Sequence, residues 1–144
     1  LRDLSFGCLD LKRSRAEEHC SVAGPKALSG RRILIVEDEA LIAMLVEDAL
    51  LDAGAEILGP AATVEDALAL FESGHPVAAV LDINLAGQVS TPVADALADS
   101  GIPFVVATGY GAAGLPERHR GVPVLAKPYD PRELVEALAK LCDQ

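Results

Sequence analysis

The sequence predicts an α/β domain in which helices cover both faces of a doubly wound, five-stranded parallel sheet, and three observations carry that expectation. Short apolar runs recur along the chain, and four of them end abruptly in a polar or charged residue. Between the runs lie segments with apolar residues at three- and four-residue steps, joined by Gly, Pro and Ser. Strand and helix therefore alternate, which is the grammar of parallel crossovers. The length of 144 residues suits one domain, and a hydrophobic content of 51% with 3% aromatics implies a core of Leu, Val, Ile and Ala.

Residues 1–30 show no sustained period and end in Gly24-Pro25-Lys26-Ala27-Leu28-Ser29-Gly30, so they read as a flexible leader or linker, with the domain at 31–144. The first strand, Ile33 to Val36, runs into a helix from about Ala40 to Ala53 whose apolar spacing is carried by Leu41, Met44, Leu45, Ala49 and Leu50, stopped by Gly54. Glu56 to Gly59 is a short second strand. Thr63 caps a second helix, with Asp66 three residues on and Ala67, Leu68, Leu70 and Phe71 on its buried face. The third strand starts at Val77 and delivers Asp82. A helix from Thr91 or Pro92 to Asp99 follows, and Phe104 to Thr108 is the fourth strand. The fifth, Val122 to Ala126, leads to Lys127-Pro128, and Asp130-Pro131 opens the last helix. Residues 109–121 break the rhythm: Gly109, Gly111, Gly114, Gly121 and Pro116 oppose a helix, so an irregular, mobile connection is expected, with the fourth helix short or missing.

The formal charge of −10 is uneven, with seven Lys/Arg against eighteen Asp/Glu over residues 31–144 and five against four before them. Such an acidic surface argues against binding nucleic acid or an anionic membrane. No apolar stretch is long enough to span a bilayer, and no signal segment opens the chain. Cys8, Cys20 and Cys142 lack metal-ligand spacing, which points to a reducing cytoplasm.

The strand ends carry the chemistry. Glu37 and Asp38 follow the first strand, and Asp82 ends the third. Adjacent carboxylates repel unless a cation sits between them, and Mg²⁺ favours such oxygen ligands. Lys127, next to the rigid Pro128, can reach an anion at the same edge, and Thr108 offers a hydroxyl. Open α/β sheets place their chemistry at this edge.

Four ordered motifs, Val36-Glu37-Asp38-Glu39, Leu81-Asp82-Ile83-Asn84, Ala107-Thr108-Gly109 and Lys127-Pro128-Tyr129, resemble the receiver domain of two-component response regulators over residues 31–144. The resemblance implies a flavodoxin-like receiver fold and a phosphoacceptor role for Asp82. It implies Mg²⁺ held by Asp38 directly, by Glu37 more indirectly and by the backbone carbonyl of Asn84, with Asp82 also among its ligands. Thr108 and Lys127 would then contact the phosphoryl group, with the Lys127-Pro128 bond cis. The donor implied is a phosphohistidine on a histidine kinase or histidine phosphotransfer protein, and a homodimer stays open as a further assembly. Such a module catalyses only its own phosphorylation and dephosphorylation. Stand-alone regulator and hybrid-kinase receiver are both compatible with the chain.

Val124 occupies the position, three residues before Lys127, where typical receivers carry a rotating aromatic. With Pro103-Phe104-Val105-Val106-Ala107-Thr108-Gly109-Tyr110, this is similar to an atypical subgroup with a Phe-Ala-Thr-Gly-Tyr-like fourth-strand end. The switch is then expected at Thr108 and Tyr110. The competing class is a small Mg²⁺-dependent aspartyl-phosphate phosphatase, which would carry an acid two residues after the nucleophile, where this chain has Asn84.

Overall fold

Five parallel strands lie in the order β2-β1-β3-β6-β7, with β1 Arg32–Val36, β2 Glu56–Ala61, β3 Ala78–Asp82, β6 Phe104–Thr108 and β7 Val124–Ala126. This flavodoxin-like order reverses direction beside β1 and β3 and so opens a crevice at their carboxyl ends. The computed structural model describes residues 27–85, 87–109, 116–119 and 121–142. The helices are α1 Ala40–Asp52, α2 Val64–Gly74, α3 Thr91–Asp99 and α4 Pro131–Cys142.

Strand alternation divides the core into two layers. Leu34, Val36, Ala79, Leu81, Phe104 and Val106 face α2 and α3, where Ala67, Val93, Ala94 and Leu97 meet them. Ile33, Ile35, Ala78, Val80 and Val105 face the other way, onto Val46 and Leu50 of α1 and Leu134 and Leu138 of α4. The caps follow the sequence reading. Thr63 accepts from the Asp66 N–H at 3.1 Å, and the Asp130 carboxylate accepts from the Arg132 N–H at 2.9 Å.

Four details differ from the sequence reading. The buried face of α1 is Ala43, Val46 and Leu50, whereas Leu41, Met44 and Leu45 are 77%, 57% and 58% exposed. This helix is apolar nearly all round, so spacing alone does not choose its inner face. The packed domain also begins before Arg31: Leu28 is fully buried and its N–H donates to the Ala53 carbonyl, so residues 27–30 belong to the fold rather than to a leader. A small antiparallel hairpin, β4 Asn84–Leu85 with β5 Gln88–Val89, follows the Asp82 strand. Finally, β7 starts only at Val124, because Pro123 has no N–H to donate and contributes its carbonyl to Val106 instead. Between β6 and β7 the described residues hold one helical piece, a 3₁₀ turn at Glu117–His119, and no α-helix. Tyr110 and residues 1–26 of the expected leader lie outside the described residues.

Candidate functional site

Parallel register brings the chemistry to one edge. Val36 pairs with Leu81, Asp82 with Ala107 and Thr108 with Ala126, so Glu37, Asp38, Asp82, Thr108 and Lys127 emerge side by side. Backbone bonds fasten the neighbours: the Glu37 N–H donates to the Ala61 carbonyl at 2.9 Å and the Lys127 N–H to the Thr108 carbonyl at 2.8 Å. The Lys127-Pro128 bond is cis.

Glu37, Asp38 and Asp82 each offer a carboxylate oxygen, and the three oxygens lie within 4.8 Å of one another. Glu37 and Asp82 are buried and Asp38 is exposed, so the cluster has a dry floor and one wet side. Lys127 closes it. Its Nζ stands 2.9 Å from Asp82 Oδ2, 3.1 Å from Glu37 Oε1 and 3.6 Å from Glu39 Oε1.

Burial pushes the Glu37 carboxyl up to about 7, and the Asp82 charge adds to this, while the Glu39 N–H and the Lys127 ammonium oppose it. Burial alone would lower the Lys127 ammonium, but its hydrogen bonds to Asp82 and Glu37 outweigh that and raise it. Burial also lifts the Tyr129 phenol to about 12, with the Glu37 charge adding. Among the described residues the Tyr129 hydroxyl has no hydrogen-bond partner. With all carboxyls ionised, three negative charges face one ammonium, and the excess suits a hard divalent cation with oxygen ligands.

Two further groups shape the acceptor. The Asn84 N–H donates to Asp82 Oδ1 at 3.2 Å, and the Ser90 hydroxyl donates to the Asp82 backbone carbonyl at 2.6 Å. Sequence reasoning missed Ser90. It precedes α3, yet its hydroxyl makes no cap bond and turns to the acceptor strand instead. Thr108 is buried at the end of β6, beside this loop.

No family model matches the chain. The solution structure of SdrG from Sphingomonas melonis Fr1 is similar, with a TM-score of 0.68 at 49% identity over 80% of this chain and 97% of that one. The response regulator receiver domain protein (CheY-like) from Methanospirillum hungatei JF-1 superposes with a TM-score of 0.71 at 28% identity, covering 80% of this chain and 95% of that one. The chain belongs to the response regulator receiver family. Its sheet order and strand-end acids are thus those of a receiver domain. Transcriptional regulatory protein PdtaR of Mycobacterium tuberculosis is 34% identical over 112 residues, which are 75% of this chain and 55% of that protein. The receiver thus spans about half the length of that relative.

Proposed function

We propose that this receiver accepts a phosphoryl group from a phosphohistidine onto Asp82. The observation that carries the reading is Asp82 itself: buried, at a strand end, with one oxygen on the Lys127 ammonium and the other on the Asn84 N–H. An Asp82 carboxylate oxygen attacks phosphorus in line, the phosphorus–nitrogen bond breaks, and the electron pair stays on the departing imidazole, which takes up a proton. Lys127 then neutralises phosphoryl oxygens, and Thr108 donates a hydrogen bond to one of them.

Asp38 and Asp82 would hold Mg²⁺ directly, Glu37 more indirectly, and the Asn84 carbonyl would complete the protein ligands. A bound ion there supplies charge neutralisation for the transferring oxygens. Glu37, Asp38 and Asp82 support this as a compact set of oxygen donors. The donor is a histidine kinase or phosphotransfer protein in the cytoplasm, and the domain turns over no substrate beyond its own acyl phosphate. Among the described residues no helix is long and apolar enough to cross a membrane. The exposed Leu45 and the adjoining groove of about 310 Å³, lined by Ile42, Lys127, Pro128 and Tyr129, give a donor helix an apolar landing surface beside the acceptor. Val124 in place of an aromatic, together with the β6 end, supports the atypical subgroup, with Thr108 and Tyr110 as the switch.

Transfer from a labelled phosphohistidine donor tests the reading. Label should pass to the wild type in Mg²⁺, and neither to Asp82→Asn nor to the wild type in EDTA. Equal labelling of wild type and variant would sink it.

A further inference from the structure

Ser90 belongs to two structures at once. Its hydroxyl donates to the Asp82 carbonyl at 2.6 Å and its N–H to the Ile83 carbonyl at 2.8 Å, while its own carbonyl accepts from the N–H groups of Val93 and Ala94. The same residue thus hooks the acceptor loop and forms the first turn of α3. Beyond that turn α3 buries Val93, Ala94 and Leu97, so it is held along its length.

The other side of α3 holds the chain between β6 and β7. Asp95 Oδ1 lies 2.8 Å from His119 Nε2 and 3.4 Å from Arg118 Nη1, and Asp99 Oδ1 lies 2.8 Å from Arg118 Nη2. His119 is only 2% exposed, and its ring stands edge-on to Phe104 with centroids 5.7 Å apart. A buried imidazole needs its partner, so Asp95 fixes the 3₁₀ turn on the helix. Pro116, just before that turn, lines one small crevice with Ile83, Ser90, Ala94 and Val106. The hook and the connection are therefore neighbours across α3. None of Asp95, Arg118 and His119 has a part in metal binding or phosphoryl transfer as described above.

We propose that α3 carries the state of the acceptor site to the connection between β6 and β7, with Ser90 as the hook at its start and the Asp95–His119–Arg118 cluster as a latch along its length. The inference rests on Asp82 being the phosphoacceptor. A new group on Asp82 displaces its loop, the Ser90 bond passes the displacement to α3, and the latch passes it to the 3₁₀ turn. Thr108 reaches the same connection along the chain, so the connection reads the site by two routes. The latch is the bistable element, formed or open. Ser90 is a positioning residue on this account.

Amide NMR of the whole chain with and without beryllofluoride and Mg²⁺ tests the inference. Signals of Asp82 to Asn84 report loading of the site, and those of His119 and Val122 report the connection. In wild type both sets should move. In Asp95→Ala the first set should still move and the second should lose most of its response. A double variant, Arg118→Ala with His119→Phe, removes both partners of Asp95 from the other side and should behave alike at Val122, which keeps the test decisive if one variant folds poorly. Ser90→Ala should weaken the same response, and Ser90→Thr, which keeps the hydroxyl, should restore it. If His119 and Val122 follow loading in the latch variants as they do in wild type, α3 is not the route. If the Asp82 to Asn84 signals of wild type never move, the phosphoacceptor reading is what fails.

Discussion

The acceptor edge and the β6–β7 connection are fastened in opposite ways. At the edge, Glu37 and Asp82 are 4% and 9% exposed at the side chain and share one ammonium at 3.1 and 2.9 Å. On the connection, the outer ties run through Arg118 and Asp99, whose side chains are 50% and 69% exposed. Buried charges in direct contact are barely screened, whereas exposed pairs are weak and yield to salt. The difference separates a preorganised reaction site from a segment that a modest free-energy change can move.

The largest effect should come from the edge. Asp82→Asn should abolish acyl-phosphate formation entirely, as followed by intact mass after treatment with acetyl phosphate. Retained phosphorylation would transfer the acceptor role elsewhere. Lys127→Met should cost about 2–3 kcal/mol in urea denaturation, because it leaves two buried carboxylates facing each other. That is below the loss usual for a broken buried pair, since Glu37 can take up a proton. An unchanged midpoint would mean that the ammonium does not support the edge.

Acidity sharpens the comparison further. The Glu37 carboxyl sits at about 7 in the folded chain against an ordinary 4.5, so between these values the folded chain holds a proton that the unfolded chain has released. Its contribution to stability therefore falls as pH rises from 4.5 to about 7 and is level above. Glu37→Gln should flatten that part of the stability profile, and Mg²⁺ should offset the loss most above pH 7. A profile that keeps its slope in the variant would remove Glu37 as the cause.

On the connection the effects should be smaller. Asp95→Ala leaves the buried His119 nitrogen unpaired and should cost about 1–2 kcal/mol. Arg118→Ala should scarcely change the melting temperature, and raising the salt should narrow its difference from wild type further. A large loss in Arg118→Ala would make the two regions alike and erase the contrast.

The same contrast explains what the sequence disclosed. A single strand end such as Asp82 or Lys127 reads equally well as a solvated loop start, and it is four such ends in one chain that are legible, because parallel register assembles them on one edge. Convergence of Glu37, Asp38 and Asp82 followed from that. What stayed hidden depends on direction rather than identity. In α1 nothing in the spacing favours Val46 over Leu45, because the sheet and α4 choose the face. Leu28 looked like linker because a single apolar residue among Gly, Pro and Ser carries no period. Ser90 carries no signal in the sequence, and only the structure turns its hydroxyl to the Asp82 carbonyl. His119 and Asp95 lie on different elements, and no pattern along the chain joins them.

The most direct measurement of the central claim is beryllofluoride binding to the whole chain, followed by amide NMR. With Mg²⁺ present, the signals of Asp82, Asn84, Thr108 and Lys127 should shift together in wild type and stay still in Asp82→Asn. EDTA should silence the wild type as completely as the substitution does. A wild type that ignores beryllofluoride, or that responds equally well without a divalent cation, would contradict the account.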